Sequence, residues 1–203
     1  LVHVLNEILI GEKKEIIEFG AGYSTLLIAS LLKQHDISAK FAAVDHDEKW
    51  ILSLERIAKK QGLTELVSFI HAPLERTEYR LSDNTEWYSE EVLKQRLVSE
   101  IDLVLVDGPP SSFQKFSRYP AIPFLKDQRK LGENFSIFLD DTYRTGESKI
   151  LDLWSKSLGI TATDFLRYGV ITANKGYRTL PYFQGYNYKL EQLKLREKEK
   201  RQN

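Results

Sequence analysis

The chain has 203 residues, 42% hydrophobic and 29% charged, which is enough for one full hydrophobic core, not comfortably for two, and excludes wholesale disorder. Lysine plus arginine and aspartate plus glutamate both number 29, so the formal net charge is zero and no global positive field draws in a polyanion; nucleic acid is a disfavoured partner. With no cysteine there is neither a disulfide framework nor a thiolate metal site, and redox chemistry is silent about the compartment, leaving the cytoplasm as the default expectation.

The opening stretch LVHVLNEILI is too short and too amphipathic for a signal peptide, and no apolar run approaches the roughly 20 residues of a membrane span. A start at Leu1 in a chain without methionine reads as a lost natural beginning, together with any upstream helix or targeting signal. Short β-rich runs then alternate with helical patterns, the signature of a parallel sheet with crossover helices. EIIEF (15–19) is the first strand, followed by YSTLLIASLLKQ, a helix apolar nearly all round. KFAAVD (40–45) is the second. After it Trp50, Ile51, Leu54, Ile57 and Ala58 recur at helical spacing over 48–61, with Asp47 to cap the start and Gly62 to stop it. That spacing assigns Trp50 to packing of its own helix.

LVSFIH (66–71) is the third strand, and SEEVLKQRLVS a helical pattern before the fourth, IDLVLVD (101–107). YPAIPFLKDQRK precedes the fifth, FSIFLDD (135–141), and ESKILDLWSKSLG follows it as an amphipathic helix. TATDFLRYGVITAN reads as two strands joined by a tight turn near Tyr168-Gly169, an antiparallel finish to a parallel sheet. There is no internal repeat. Residues 1–188 form one domain, and the locally basic tail 189–203 reads as a solvated terminal helix or frayed end.

Chemistry concentrates where strands end. Three of the five runs finish on an acidic residue, at Asp45, Asp107 and Asp141, and in open α/β sheets the carboxyl end is where ligands sit. The first strand instead runs into Gly20-Ala21-Gly22, a turn that brings backbone close to a ligand and aims the next helix's free N–H groups at it. A dinucleotide site would want a third glycine where Thr25 stands. Glu18, just ahead of the turn, would repel a pyrophosphate and suits a ligand with a cationic group. On these residues alone a nicotinamide-dependent oxidoreductase, a cationic nucleoside site and a non-catalytic module of the same fold all stay open.

The pattern E-x-G-x-G-x-S-T over 18–25, with an acidic second strand end at Asp45, resembles the first two motifs of the class I S-adenosylmethionine-dependent methyltransferases. IDLVLVDGPPS looks like the fourth motif of a subfamily acting largely on oxygens of small molecules or sugars. The resemblance spans about 13–174. It implies a doubly wound, mostly parallel seven-stranded Rossmann-like sheet with an antiparallel last strand, S-adenosylmethionine as cofactor and a small-molecule acceptor. It also implies cofactor contacts from Glu18, Gly20, Ala21, Gly22, Ser24, Thr25, Asp45, His46 and Asp107, with the ribose on Asp45, and catalytic roles for Asp107 and Asp140. Asp107, Asp140 and Asp141 match the layout of metal-dependent O-methyltransferases, whose oxygen ligands suit magnesium or calcium, the alternative being that two of the three bind substrate hydroxyls directly.

Two adjacent carboxylates at one strand end need a positive neighbour, either Arg144 or such a cation. Arg118, Tyr119, Tyr143 and Arg144 are candidates for substrate contact, and His71 for a base or a structural histidine. Pro109 and Pro110 stiffen the rim beyond Asp107, and Ser111 stands where enzymes that methylate nucleic acid bases carry an aromatic residue. The extended N-terminal region of O-methyltransferases is missing here, which leaves the acceptor side undetermined.

Overall fold

A computed structural model describes residues 1–83, 85–111, 114–173 and 179–181. Helix α1 (Val2–Leu9) is followed by β1 (Glu15–Phe19), α2 (Tyr23–Gln34), β2 (Lys40–Asp45), α3 (Glu48–Gln61) and β3 (Ser68–His71). A short hairpin, β4 (Leu74–Arg76) and β5 (Glu86–Tyr88), leads to α4 (Glu90–Arg96) and β6 (Ile101–Val106). The chain continues through α5 (Ala121–Asp127), β7 (Leu131–Asp140), α6 (Thr145–Leu158), β8 (Thr163–Asp164) and β9 (Tyr168–Thr172). Seven strands form one sheet in the order β3-β2-β1-β6-β7-β9-β8, parallel from β3 to β7, with β9 antiparallel to both β7 and β8. This is the expected doubly wound architecture. The tail 189–203 lies outside the described residues.

Alternation along each strand builds two cores. Ile17, Val104, Val106, Ile137 and Leu139 face α4, α5 and α6, where Leu93, Phe124 and Trp154 are buried. Ile16, Leu103, Leu105 and Phe138 face α1, α2 and α3. Strands buried on both sides read as continuous apolar runs, which is why they stand out in the sequence.

Helix α3 keeps its signals: the Asp47 side chain accepts from the backbone of Lys49 and Trp50, and the helix ends at Gly62. Other boundaries move. Leu66 closes a single 3-10 turn, so β3 starts at Ser68. Strand β7 is ten residues long, and Asp141 has left it with a φ of 61°. The expected turn at Tyr168-Gly169 is corrected: both residues belong to β9, and the chain reverses at 165–167, where Leu166 takes a φ of 69°. Gly169 is there for close approach, since a Cβ would stand 2.2 Å from Leu151 of α6. The sequence reading also passed over α1 and the β4–β5 hairpin. Among the described residues no helix is long and apolar enough to cross a membrane.

Candidate active site

Parallel register brings the ends of β2, β1 and β6 to one edge. Gly20 and Ala21 donate their N–H groups to the Val44 carbonyl at 2.8 and 3.0 Å, and Asp107 donates to the Phe19 carbonyl at 2.8 Å. Gly20 has a φ of 99°, and a Cβ there would lie 2.7 Å from the backbone nitrogen of Gly108. Only glycine meets both demands.

Beyond it, the Gly22 N–H donates to Thr25 Oγ1 at 2.9 Å, while the hydroxyls of Ser24 and Thr25 both donate to the Glu18 carboxylate. Thr25 thus fastens the turn at the place a dinucleotide fold would give to glycine. Glu18, expected to meet a cationic ligand, is fully buried with both its oxygens engaged by the helix start, so it props the turn from behind. Burial pushes its carboxyl up to about 7, against the pull of the two hydroxyls. Thr25, also fully buried, shares that supporting role. Ser24 remains on the open side.

Trp50 does not pack within its helix as expected. Its indole N–H donates to the Ala21 carbonyl at 2.8 Å and its ring meets the exposed Tyr23 edge-on, so it clamps α3 to the glycine turn. Asp45, at the end of β2, accepts the Asp47 N–H at 2.9 Å, and His46 Nδ1 lies 3.1 Å from the same oxygen. Burial raises the Asp45 carboxyl above its ordinary value. His71 is exposed, with Nε2 3.1 Å from the His46 carbonyl, and β2 and β1 separate its strand from β6; it stands away from the other carboxylates.

At the ends of β6 and β7 the organising group is Arg118, in the segment between β6 and α5. The residue is 3% exposed, and its guanidinium donates to Asp107 Oδ1 at 2.9 Å, to Asp141 Oδ2 at 3.3 Å and to the Asp140 carbonyl at 3.0 Å. Arg144 reaches Asp141 at 3.0 Å from outside and donates to Ser111 Oγ at 2.9 Å. Desolvation pushes the Asp107 carboxyl up to about 6; Arg118 opposes this, and Asp140 and Asp141 add to it.

The three carboxylates each place an oxygen within 4.8 Å of one another, a set that by type would suit magnesium. They nevertheless do not fit a divalent cation as arranged, because Arg118 already bonds two of them and supplies the charge such an ion would bring. The positive neighbour demanded by the Asp140-Asp141 pair is therefore chiefly Arg118, with Arg144 outside it. Of the other candidates for substrate contact, Tyr119 packs against the α4–α6 core, and Tyr143 lies under the guanidiniums of Arg144 and Arg167.

Beside this network is a cavity of about 90 Å³, lined by Ser24, Asp107, Asp140, Phe138, Tyr168 and His3 among others. Helix α1 contributes His3 and Val4 to its wall. His3 and Tyr168 are the residues the sequence reading missed; nothing local marks them, because they meet only across 165 positions.

Fold and site together define a methyltransferase. The chain belongs to the methyltransferase domain family, whose model matches residues 17–142. Among solved structures it is similar to the SAH-bound methyltransferase PaMTH1 of Podospora anserina, at 21% identity over 85% of this chain and 76% of that one, with a TM-score of 0.62. The O-methyltransferase from Bacillus cereus, in complex with SAH, shares 16% identity over 84% of this chain and 78% of its own, with a TM-score of 0.57. TomG of Streptomyces achromogenes, an O-methyltransferase of tomaymycin synthesis in complex with SAM, shares 12% over 86% and 79%, with a TM-score of 0.56. No curated protein matches the chain.

Proposed function

We propose that this protein transfers a methyl group from S-adenosylmethionine to an oxygen of a small-molecule acceptor. The observation that carries the reading is the convergence of the Gly20–Gly22 turn, Asp45 and Asp107 on one sheet edge, tied together by the backbone bonds of Gly20 and Ala21 to Val44 and of Asp107 to Phe19. Such an edge fits the cofactor: Gly20 lets the turn pack directly on the Asp107-Gly108 backbone, Gly22 beyond it leaves open space, and the carboxylates beside it favour a sulfonium over a phosphate. The solved relatives hold SAM or SAH, and two of them are O-methyltransferases.

When bound, the cofactor supplies the activated methyl group. The chain's own residues hold and orient. Asp45 accepts from ribose hydroxyls, the turn and the start of α2 receive the methionine portion, and Asp107 faces both cofactor and acceptor from the rim of the cavity. Arg118 keeps Asp107 in place at 2.9 Å.

Asp45→Ala is the direct test. Calorimetry with S-adenosylhomocysteine should show binding weakened by about 1–3 kcal/mol, as for the loss of hydrogen bonds to a charged group. Unchanged affinity in a folded variant would remove Asp45 from the site.

A further inference from the structure

The inner wall of the cavity is backed by a buried polar chain that no methyl transfer step has yet used. Tyr168 Oη lies 3.2 Å from His3 Nδ1, and His3 Nε2 lies 3.0 Å from Thr179 Oγ1. The Thr179 hydroxyl donates to Glu7, whose other carboxylate oxygen accepts from Ser136 at 2.8 Å. His3, Glu7, Thr179 and Ser136 are all buried.

Directions along this chain follow from chemistry. A carboxylate only accepts, so the single Thr179 proton points to Glu7, and Thr179 oxygen must accept from His3. His3 therefore carries its proton on Nε2 and presents Nδ1 as an acceptor, toward which the Tyr168 hydroxyl donates. Asp107 and Asp140 line the same cavity, so among the described residues the charged groups facing this pair are the Leu1 amino group, Glu7 from α1 and those two carboxylates at the ends of β6 and β7.

We infer that Tyr168 and His3 form a proton relay that takes the proton of the acceptor hydroxyl, and that the acceptor is a phenol. This rests on the methyltransferase reading. The acceptor's O–H bond breaks as its oxygen forms the bond to the methyl carbon, and the electron pair of the broken carbon–sulfur bond stays on sulfur as a neutral thioether. The acceptor proton passes to Tyr168 oxygen while Tyr168's own proton crosses to His3 Nδ1. The resulting imidazolium keeps Nε2–H on Thr179, with Glu7 behind it, and loses its extra proton to water once the product leaves.

Phenol is the matching class for two reasons. Its hydroxyl titrates near that of tyrosine, about 10, far closer than a sugar alcohol to the His3 imidazole, which burial holds below its ordinary value and which therefore takes the proton only as bond formation acidifies it. The wall that would meet the ring is aromatic, with Phe138 and Tyr168 stacked and His3 edge-on to Phe138.

Two readouts on the full chain test this without turnover. Histidine ¹⁵N NMR should find His3 as the Nε2–H tautomer; an Nδ1–H tautomer overturns the relay. With S-adenosylhomocysteine present and the pH held below the free ionisation midpoint of p-nitrophenol, wild type should turn bound p-nitrophenol into its coloured phenolate. His3→Gln and Tyr168→Phe should bind it and leave it neutral, with a tenfold or greater loss of the phenolate signal. Should His3→Gln fail to fold, Tyr168→Phe carries the comparison, since it keeps the ring that stacks on Phe138 and Phe165. Neutral p-nitrophenol on wild type, equal ionisation in the variants, or no binding at all overturns the proposal. Wild type that fails to bind S-adenosylhomocysteine overturns the methyltransferase reading instead, and the tautomer, read on the protein alone, tells the two failures apart.

Discussion

At the β1–α2 turn a fully buried carboxylate, Glu18, is satisfied by the neutral hydroxyls of Ser24 and Thr25, whereas at the β6 and β7 ends Asp107 and Asp141 share the buried guanidinium of Arg118. The first arrangement tolerates a protonated acid and serves to shape a backbone turn. The second needs its charges and holds side chains at the rim of a cavity. Similar acidic motifs at neighbouring strand ends thus do different work, and what separates them is the partner each one finds.

Removing Arg118 should have the largest effect. Arg118→Met leaves Asp107 and Asp141 without their inner counter-charge, and because the Asp107 side chain is 44% exposed and screened by water, urea unfolding should show a loss of roughly 2–4 kcal/mol, somewhat below that of a fully buried pair broken from one side. Magnesium should then restore part of the loss in Arg118→Met and leave wild type unmoved, because only the variant frees Asp107 and Asp141 from Arg118 to join Asp140 around an ion. Magnesium stabilising wild type as strongly would mean that Arg118 does not hold that place.

The glycine-turn side is sharpened by pH. The Glu18 carboxyl is held at about 7, above its ordinary 4.5, so the stability contributed by its protonated form is complete below the lower value and lost as pH rises through the upper one. Unfolding curves between pH 5 and 8 should therefore slope downward in wild type by up to about 3 kcal/mol, and Glu18→Gln should flatten that slope. An identical slope in both proteins would show that Glu18 is ionised in the folded state throughout.

The smallest effect belongs to Arg144. Its side chain is 42% exposed and it pairs with Asp141 from outside, so Arg144→Gln should change stability by less than about 1 kcal/mol in urea. A loss as large as that of Arg118→Met would make the two arginines a single unit.

Much of this was legible in the sequence where the signal is local. Strands buried on both faces appear as apolar runs, the glycine turn follows directly from its strand, Asp45 closes β2 and Asp107 directly follows β6. The readings that failed depended on distance. Arg118 sits in an irregular segment, where an arginine ordinarily means solvent, and only folding carries it under the ends of β6 and β7. His3 and Glu7 lie on an eight-residue helix whose buried partners come from β7, β9 and Thr179, 129 or more positions away. The hairpin carrying the buried Trp87 and Tyr88 has strands of three residues, too short for alternation to show. For Glu18 the residue type and place were legible but the orientation was not, since it is set by hydroxyls six and seven residues on.

If this edge receives a sulfonium nucleoside and turns away a pyrophosphate, parallel calorimetric titrations of the full chain with S-adenosylmethionine and with NAD+ should give saturable binding of the first and none of the second. No heat from S-adenosylmethionine, or comparable binding of NAD+, would show that the edge makes no such distinction.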